Sequence, residues 1–520
     1  MPRFAPRAAR TSLIAVLAAV LLLSSPALSS ASAAGAARTT VPARGPGAAA
    51  RHAAAKSALA KVLTAFAPKA ARGQRSARHP LPYTDVSTLL RNLRMALPDL
   101  TGADRVTARR MLARPTDPGG DAVCEGCRNI VLNGTLATYA TPHFLIHYQT
   151  APPFLGKSQV ATTEQVQATA SVLENVYSTE TGALGYRTPL SDAATANPSS
   201  KSNPDAKIDV FLAELGDQRL YGYASSDSTA QTEPPYLVLD NDFASSEFGA
   251  APINSLKVTV AHEFFHAIQY AYDAYELAWF MEGTAVWMED TVYPTINDYL
   301  QYLPTSQLAK PRQSTDDPND LYGTVIFWKF LSERFKDPTI IRKIWERAAA
   351  SSGNRNGIQS VGDVLKARGL SFAPEFARYG VWNTLPPGTY ADRSLWPSPG
   401  VWETGTFSRN HTDTGKRSVT LNHLANAPLV MRVGSGLPSR TKLRVVIDAP
   451  NTTHGSRASV EIRFRNGTVK TYAVSLNSAG NAIRVYGFNP RYVRSTVIVL
   501  TNGSTGYDGQ PFAVRVRAVA

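Results

Sequence analysis

The spacing of apolar residues changes twice along the 520-residue chain. The short apolar runs in "HFLIHYQT", "KIDVFLAEL" and "PYLVLDNDF" predict strands. The segment "TTEQVQATASVLENVYSTETG" and several segments after residue 257 instead repeat apolar residues every three or four positions, as amphipathic helices do. The pattern predicts one α+β domain over residues 119–395, with a small sheet and a mostly helical half. We expect "PYLVLDNDF" to lie at an edge of that sheet, where an extended peptide could pair with it.

The pattern changes to period-two alternation after "LPPGTYADRSLWPSPG", a linker rich in proline and glycine. Alternating runs such as "KLRVVIDAP", "SVEIRFRNGTVKTYAVSL" and "PFAVRVRAV" predict strands. The Asn466-Gly467 pair between two such runs is a strong hairpin signal. Residues 396–520 are therefore predicted to form an all-β sandwich domain of about seven strands.

The first residues have the pattern of an export signal. A basic stretch, "MPRFAPRAAR", precedes the apolar run "TSLIAVLAAVLLL", and "ASA" at residues 31–33 fits a cleavage site. The apolar run is shorter than the roughly 20 residues that a membrane-spanning helix needs. We predict a signal peptide over residues 1–33, a secreted, extracellular protein, and no membrane span in the mature chain.

Residues 34–118 are rich in Ala, Arg, Gly and Pro, which predicts a prosegment or a linker. Within them, "VSTLLRNLRMALPDL" predicts one short amphipathic helix. Two interpretations stay open for this segment. It is either an autoinhibitory prosegment of a secreted hydrolase or a linker with no inhibitory role.

Charge and cysteine content narrow the class of protein. The net charge of +14 comes from the first 120 residues, since the remaining 400 carry 36 basic and 36 acidic groups. A nucleic-acid partner is not predicted, because such a partner needs a basic face on a folded domain. The two cysteines, Cys124 and Cys127, predict a small local disulfide in an exported protein.

The stretch "VTVAHEFFHAIQYAY" carries the clearest chemical signal. His262 and His266 are four residues apart, so on a helix both imidazoles point to one side and can bind one Zn²⁺ ion. Glu263 is rotated about 100° from His262, beside the ion, where it can take a proton from a zinc-bound water. The sequence therefore predicts a catalytic zinc site with Glu263 as the general base.

A protein zinc site needs a third ligand, and the histidine extension of this motif is absent, since Gln269 and Tyr272 occupy its positions. A second helix that turns back after residues 273–278 would place Glu282 alongside the histidines. We therefore predict Glu282 as the third ligand. On the same face, Glu289 and Asp290 are candidates to hydrogen-bond a ligand histidine and fix its orientation.

"HEFFH" followed by "WFMEGTAVWMED" resembles the gluzincin metallopeptidases. The second element is most similar to W-x-x-E-G-x-A of the aminopeptidase N family, with Glu282 in the ligand position, although the 15 residues between His266 and Glu282 are fewer than usual there. The combination also resembles secreted bacterial metallopeptidases with a C-terminal β-domain. The resemblance covers roughly residues 235–335 and implies a zincin-like domain that hydrolyses protein or peptide substrates with one Zn²⁺. It favours Glu289 over Asp290.

Gluzincins often stabilise the oxyanion with a downstream tyrosine or histidine, which makes Tyr322 the candidate here.

The leading prediction is a secreted zinc endopeptidase. A zinc aminopeptidase is the first alternative, although the G-x-M-E-N string that holds a free amine in aminopeptidase N relatives is absent. The second is an inert adhesion or carbohydrate-binding protein that works through the β-domain, against which the intact His and Glu set argues. In either case the β-domain is a candidate to contact cell-wall polymers.

Overall fold

The computed structural model of the protein describes residues 47–67, 86–117, 130–152, 159–193, 206–353 and 355–519. The predicted signal peptide and the predicted Cys124–Cys127 disulfide lie outside the described residues. Among the described helices, none is long and apolar enough to cross a membrane.

Three helices precede the first strand: α1 (Ala48–Phe66), α2 (Ser87–Ala96) and α3 (Gly102–Met111). Only the helix around α2 was predicted. The Ala-rich composition of α1 favours a helix because alanine has the highest helix propensity, and its few large residues, among them Leu59 and Phe66, are buried. The segment predicted as a prosegment or linker therefore contains folded helices within its described part.

A five-stranded mixed sheet follows, in the order β1-β2-β3-β5-β4. β2, β3 and β5 are parallel, whereas β1 and β4 are antiparallel to their neighbours. The prediction that "PYLVLDNDF" forms an edge strand was wrong: that segment is β5, which pairs with β3 on one side and β4 on the other. All five of its residues are buried, as expected for an interior strand. The strands are β1 (Thr135–Ala140), β2 (Phe144–Ala151), β3 (Ile208–Ala213), β4 (Gly222–Ser225) and β5 (Tyr236–Asp240).

Helices cover both faces of this sheet. Apolar residues of α1, α2 and α3 form one core with Phe211, Tyr223 and Tyr236 of the strands. On the other face, the helices after β2 and β5 form the main core with residues such as Phe144 and Leu237. These helices are α4 (Thr163–Tyr177), α5 (Ser245–Phe248), α6 (Pro252–Tyr270), α7 (Ala278–Val292), α8 (Val325–Phe335), α9 (Ile340–Ala348), α10 (Gly357–Ala367) and α11 (Phe372–Trp382).

The C-terminal region is all-β, as predicted, with nine strands in two sheets among the described residues rather than about seven. The sheets have the orders β11-β10-β13-β8-β6 and β12-β9-β14-β7 and share one apolar core. The Asn466-Gly467 pair lies in the hairpin between β10 and β11, with Gly467 at a φ of 86°. The strands are β6 (Glu403–Phe407), β7 (Arg417–Leu421), β8 (Ala425–Val433), β9 (Lys442–Asp448), β10 (Ser456–Phe464), β11 (Val469–Ala473), β12 (Asn481–Gly487), β13 (Val493–Asn502) and β14 (Gln510–Val519).

Candidate metal centre

Helix α6 carries the histidine pair one turn apart, and α7 runs back beside it after the turn at residues 271–277. His262 is 6% exposed and His266 is fully buried. Gly283 of the "EG" pair lets α7 approach its neighbours, because a Cβ there would collide with side-chain atoms of Thr324 and Trp328. This close packing sets the position of the preceding residue, Glu282.

The structure brings His262, His266 and Glu282 together. Oε2 of Glu282 lies 3.4 Å from Nε2 of His262 and 3.3 Å from Nε2 of His266. One ligand atom from each of the three residues lies within 4.8 Å of the others. Ligand atoms about 2.1 Å from a tetrahedral zinc ion are about 3.4 Å apart. The two measured distances therefore match two edges of a zinc coordination tetrahedron.

The environment of Glu282 fits a cation as well. Its side chain is 1% exposed, and within the described residues both carboxylate oxygens are buried without a hydrogen-bond donor. A carboxylate buried in this way is costly unless it is paired or bound to a metal. The donor set of two imidazoles and one carboxylate is also one that zinc prefers in catalytic sites.

The outer nitrogen of each histidine is hydrogen-bonded. Nδ1 of His262 lies 2.6 Å from Oε1 of Glu289, and Nδ1 of His266 lies 2.7 Å from Oε1 of Gln269. The Gln269 amide is oriented because its Nε2 donates to the Met281 carbonyl oxygen. Both partners accept, so each Nδ1 carries the proton and each Nε2 turns a lone pair toward Glu282.

Of the two acidic candidates on α7, Glu289 contacts a histidine and Asp290 does not, since Asp290 forms an ion pair with Lys329. Helical rotation explains the difference. At about 100° per residue, position i+7 returns to within about 20° of Glu282, whereas i+8 is about 80° away. Burial raises the pKa of Glu289 to about 7, and the hydrogen bond with His262 opposes this rise.

Gln269 was missed as a functional residue in the sequence, although it lies three positions after His266 on the same helix. We expect Gln269→Met to weaken zinc binding about 10- to 100-fold, because His266 would lose the acceptor that fixes its orientation. Competition with a chromophoric chelator measures the affinity. The exposed Gln167→Met substitution on α4 is the control, and an unchanged affinity in Gln269→Met would show that His266 does not need this acceptor.

Glu263 and Tyr322 line the same cavity as His262. The cavity has a volume of about 30 Å³, and Tyr221, Val258 and Tyr302 are also among the residues that line it. The ring of Tyr322 stacks on Tyr302, with centroids 4.9 Å apart, and lies 6.2 Å from the ring of His262. The candidate base and the candidate oxyanion donor therefore lie beside the histidines.

A second acidic group, Glu214, Asp240 and Glu247, lies near β5. Asp240 accepts backbone N–H bonds on both carboxylate oxygens, from Leu215 on Oδ2 and from Phe243 on Oδ1. These bonds give Asp240 a role in holding the two loops that follow β3 and β5. We assign no metal to this group.

Comparison with known proteins leaves the function to be argued from this geometry. No protein-family model matches the chain, and no curated protein matches it. Among solved structures, one similar chain is a family GH115 4-O-methyl-alpha-glucuronidase with specificity for decorated arabinogalactans. The match has 9% sequence identity and a TM-score of 0.14, and it covers 52% of this chain and 38% of that one. So weak a likeness assigns neither a fold family nor an activity.

Proposed function

We propose that this chain is a secreted zinc-dependent endopeptidase with a zincin-like domain, in which His262, His266 and Glu282 would hold one Zn²⁺. The observation that carries the proposal is the set of 3.3 and 3.4 Å distances between Glu282 and the two Nε2 atoms. The fixed Nδ1 partners and the Glu282 oxygens without donors support it. When bound, zinc would polarise the peptide carbonyl and lower the pKa of its bound water to about 7.

The chain's own residues account for the proton transfers. Glu263 follows His262 directly on α6 and is 3% exposed, beside the metal position. In this proposal its carboxylate takes a proton from the attacking water and gives it to the leaving nitrogen, so the amine departs neutral. The position of Glu263 on a buried helix suits this role because the base must stay within hydrogen-bond distance of the water.

Tyr322 is proposed to donate a hydrogen bond to the carbonyl oxygen as it gains negative charge. Its position in the cavity wall beside His262 supports this role. We expect Tyr322→Phe to lower kcat about 10²-fold with zinc affinity unchanged, because removal of one oxyanion donor typically lowers kcat about 10²- to 10³-fold. Steady-state kinetics test this, with the exposed Tyr139→Phe as control. An unchanged kcat would remove Tyr322 from the mechanism.

The direct test is cleavage of amino-acetylated peptides by the zinc-loaded protein, followed by mass spectrometry. Internal cleavage that stops when zinc is chelated and returns when zinc is restored is the expected result. Cleavage that requires a free amino terminus would favour the aminopeptidase alternative. No cleavage by the zinc-loaded protein, including a variant with Ala in place of Ser87, whose hydroxyl donates to Glu263, would contradict the proposal and favour polymer binding by the β-domain.

A further inference from the structure

A serine from the N-terminal helices contacts the candidate base. Ser87 is the first residue of α2 and is fully buried. Its Oγ donates a hydrogen bond to Oε2 of Glu263 at 3.1 Å and accepts one from the Ala224 N–H at 2.8 Å. The second bond occupies a lone pair and leaves the hydroxyl proton for Glu263. One hydroxyl therefore links α2, the edge strand β4 and the candidate base.

The contact with Ala224 matters because β4 is an edge strand of the sheet as the described residues form it, and it lies beside the metal centre. Gly222 of β4 lines the cavity, and only glycine fits there, because a Cβ would lie 2.9 Å from Cγ2 of Thr259 on α6. An extended peptide can add to a sheet edge through outward-facing N–H and C=O groups. At Ala224 both groups are already bonded, the N–H to Ser87 and the carbonyl oxygen to the Tyr270 hydroxyl. Ser87 of α2 thus occupies the Ala224 N–H that a substrate strand would use, whereas Tyr270 of α6 occupies the carbonyl oxygen.

The size of the cavity agrees with a covered site. Its volume of about 30 Å³ accommodates roughly two water molecules, since one water needs about 10–15 Å³ measured in this way. A peptide substrate is far larger. The space beside the candidate base is therefore small in the conformation described.

Helix α2 is anchored to the turn that joins the two ligand-bearing helices. Arg91 Nη1 donates to the carbonyl oxygens of Ala274 and Glu276 at 2.7 and 2.8 Å. Leu90 and Leu93 are buried in the core that the N-terminal helices share with the sheet. Displacing α2 would break these bonds and expose apolar surface, so the covered conformation is the more stable one.

We propose that α2 is an intramolecular plug of the metal centre: Ser87 holds Glu263, α2 covers the β4 edge, and substrate can bind only after α2 moves away. The proposal rests on the proposed function, because it regulates the same site. A substrate or a second protease that displaces α2 would then switch the enzyme on.

The test compares the zinc-loaded full chain with Ser87→Ala and Arg91→Ala. We expect zinc extraction by a chelator, amide hydrogen exchange at Ala224 and peptide hydrolysis each to become about tenfold faster, as expected for the loss of one hydrogen bond to a charged or backbone group. Ser360→Ala is the matched control, because Ser360 is also fully buried but lies on α10. Arg109→Ala on the exposed side of α3 controls for the loss of an arginine.

Slower hydrolysis by Ser87→Ala, with zinc extraction and Ala224 exchange unchanged, would overturn the plug and make Ser87 a residue that positions the base. Wild-type rates equal to those of both variants would overturn it too. The two proposals fail separately. If the variants release zinc faster but hydrolyse no peptide, the result supports the plug and contradicts the proposed peptidase activity. If the chain binds no zinc, the peptidase proposal is contradicted, and the rate of amide exchange at Ala224 then decides whether α2 acts as a plug.

Discussion

Glu263→Gln should lower the rate of peptide hydrolysis by about 10²- to 10⁴-fold, the range typical for loss of a general base. Glutamine keeps the size and the hydrogen-bonding reach of glutamate but cannot accept the proton of the attacking water. Zinc should stay bound, because the ligand positions belong to His262, His266 and Glu282. The variant therefore separates the proton transfer from metal binding.

Kinetics on an acetylated peptide and elemental analysis of the same sample check this result. The comparison uses the background that hydrolyses faster, wild type or Ser87→Ala, so that an inhibitory α2 does not mask the effect. Glu164→Gln, at an exposed position in the first turn of α4, is the control. Full peptidase activity in Glu263→Gln would show that another residue is the general base. A Glu263→Gln variant that hydrolyses no peptide but keeps the protein's effect on cells would favour the adhesion or carbohydrate-binding alternative.

Glu282→Ala should greatly reduce the stabilisation of the folded chain by zinc. An ion that binds only the folded state raises the free energy of unfolding by about 2.7 kcal/mol at a free concentration of 100 times Kd. The wild type should gain this stability, since Glu282 supplies the one carboxylate among the three proposed ligands. The variant, with two histidines left, should gain far less at the same zinc concentration.

Without zinc, the free energy of unfolding of Glu282→Ala should no longer be lower than that of the wild type. Glu282 is buried with no hydrogen-bond donor to its carboxylate among the described residues, and a buried charge without a partner destabilises the folded state. The zinc-free variant should therefore be at least as stable as the zinc-free wild type. Denaturant unfolding with zinc and with a chelator measures both effects, and Glu164→Ala is the control. An equal gain from zinc in the variant and in the wild type would exclude Glu282 as a ligand.

Much of the geometry around the histidines follows from local periodicity. Spacing of i and i+4 places His262 and His266 on one face of α6, and the turn expected at residues 273–278 overlaps the observed turn at 271–277. The same periodicity puts Glu289 near Glu282 and rotates Asp290 away, a distinction that the sequence prediction left to the family resemblance. These positions depend on residues within a few turns of one another, so the sequence contains the information.

Contacts between distant segments could not be predicted in this way. Ser87 meets Glu263 across 176 residues of chain, and no periodicity connects them. The position of β5 inside the sheet depends on β4, a four-residue strand too short to give a clear alternating signal. In the sequence, Gln269 only showed that the longer histidine motif is absent. Its role depends on α7, because the Met281 carbonyl oxygen of that helix accepts from the Gln269 amide and orients it.

Composition did not reveal the first helix of the N-terminal segment. The Ala-rich sequence of residues 48–66 resembles low-complexity chain, yet Leu59, Val62 and Phe66 recur at helical spacing and are buried. A few large apolar residues suffice because alanine loses little entropy in a helix and allows close packing. The sheet face that buries these residues is formed by strands more than 140 residues later, so the local sequence could not predict the contact.

Anomalous X-ray scattering at the zinc absorption edge, measured on crystals of the full chain grown with zinc, locates the ion itself. We expect one strong peak about 2.0–2.2 Å from Nε2 of His262, Nε2 of His266 and a carboxylate oxygen of Glu282. We expect no such peak in crystals of Glu282→Ala. A zinc-free space between these three side chains at saturating zinc, in a correctly folded wild-type crystal, would rule out the proposed zinc site.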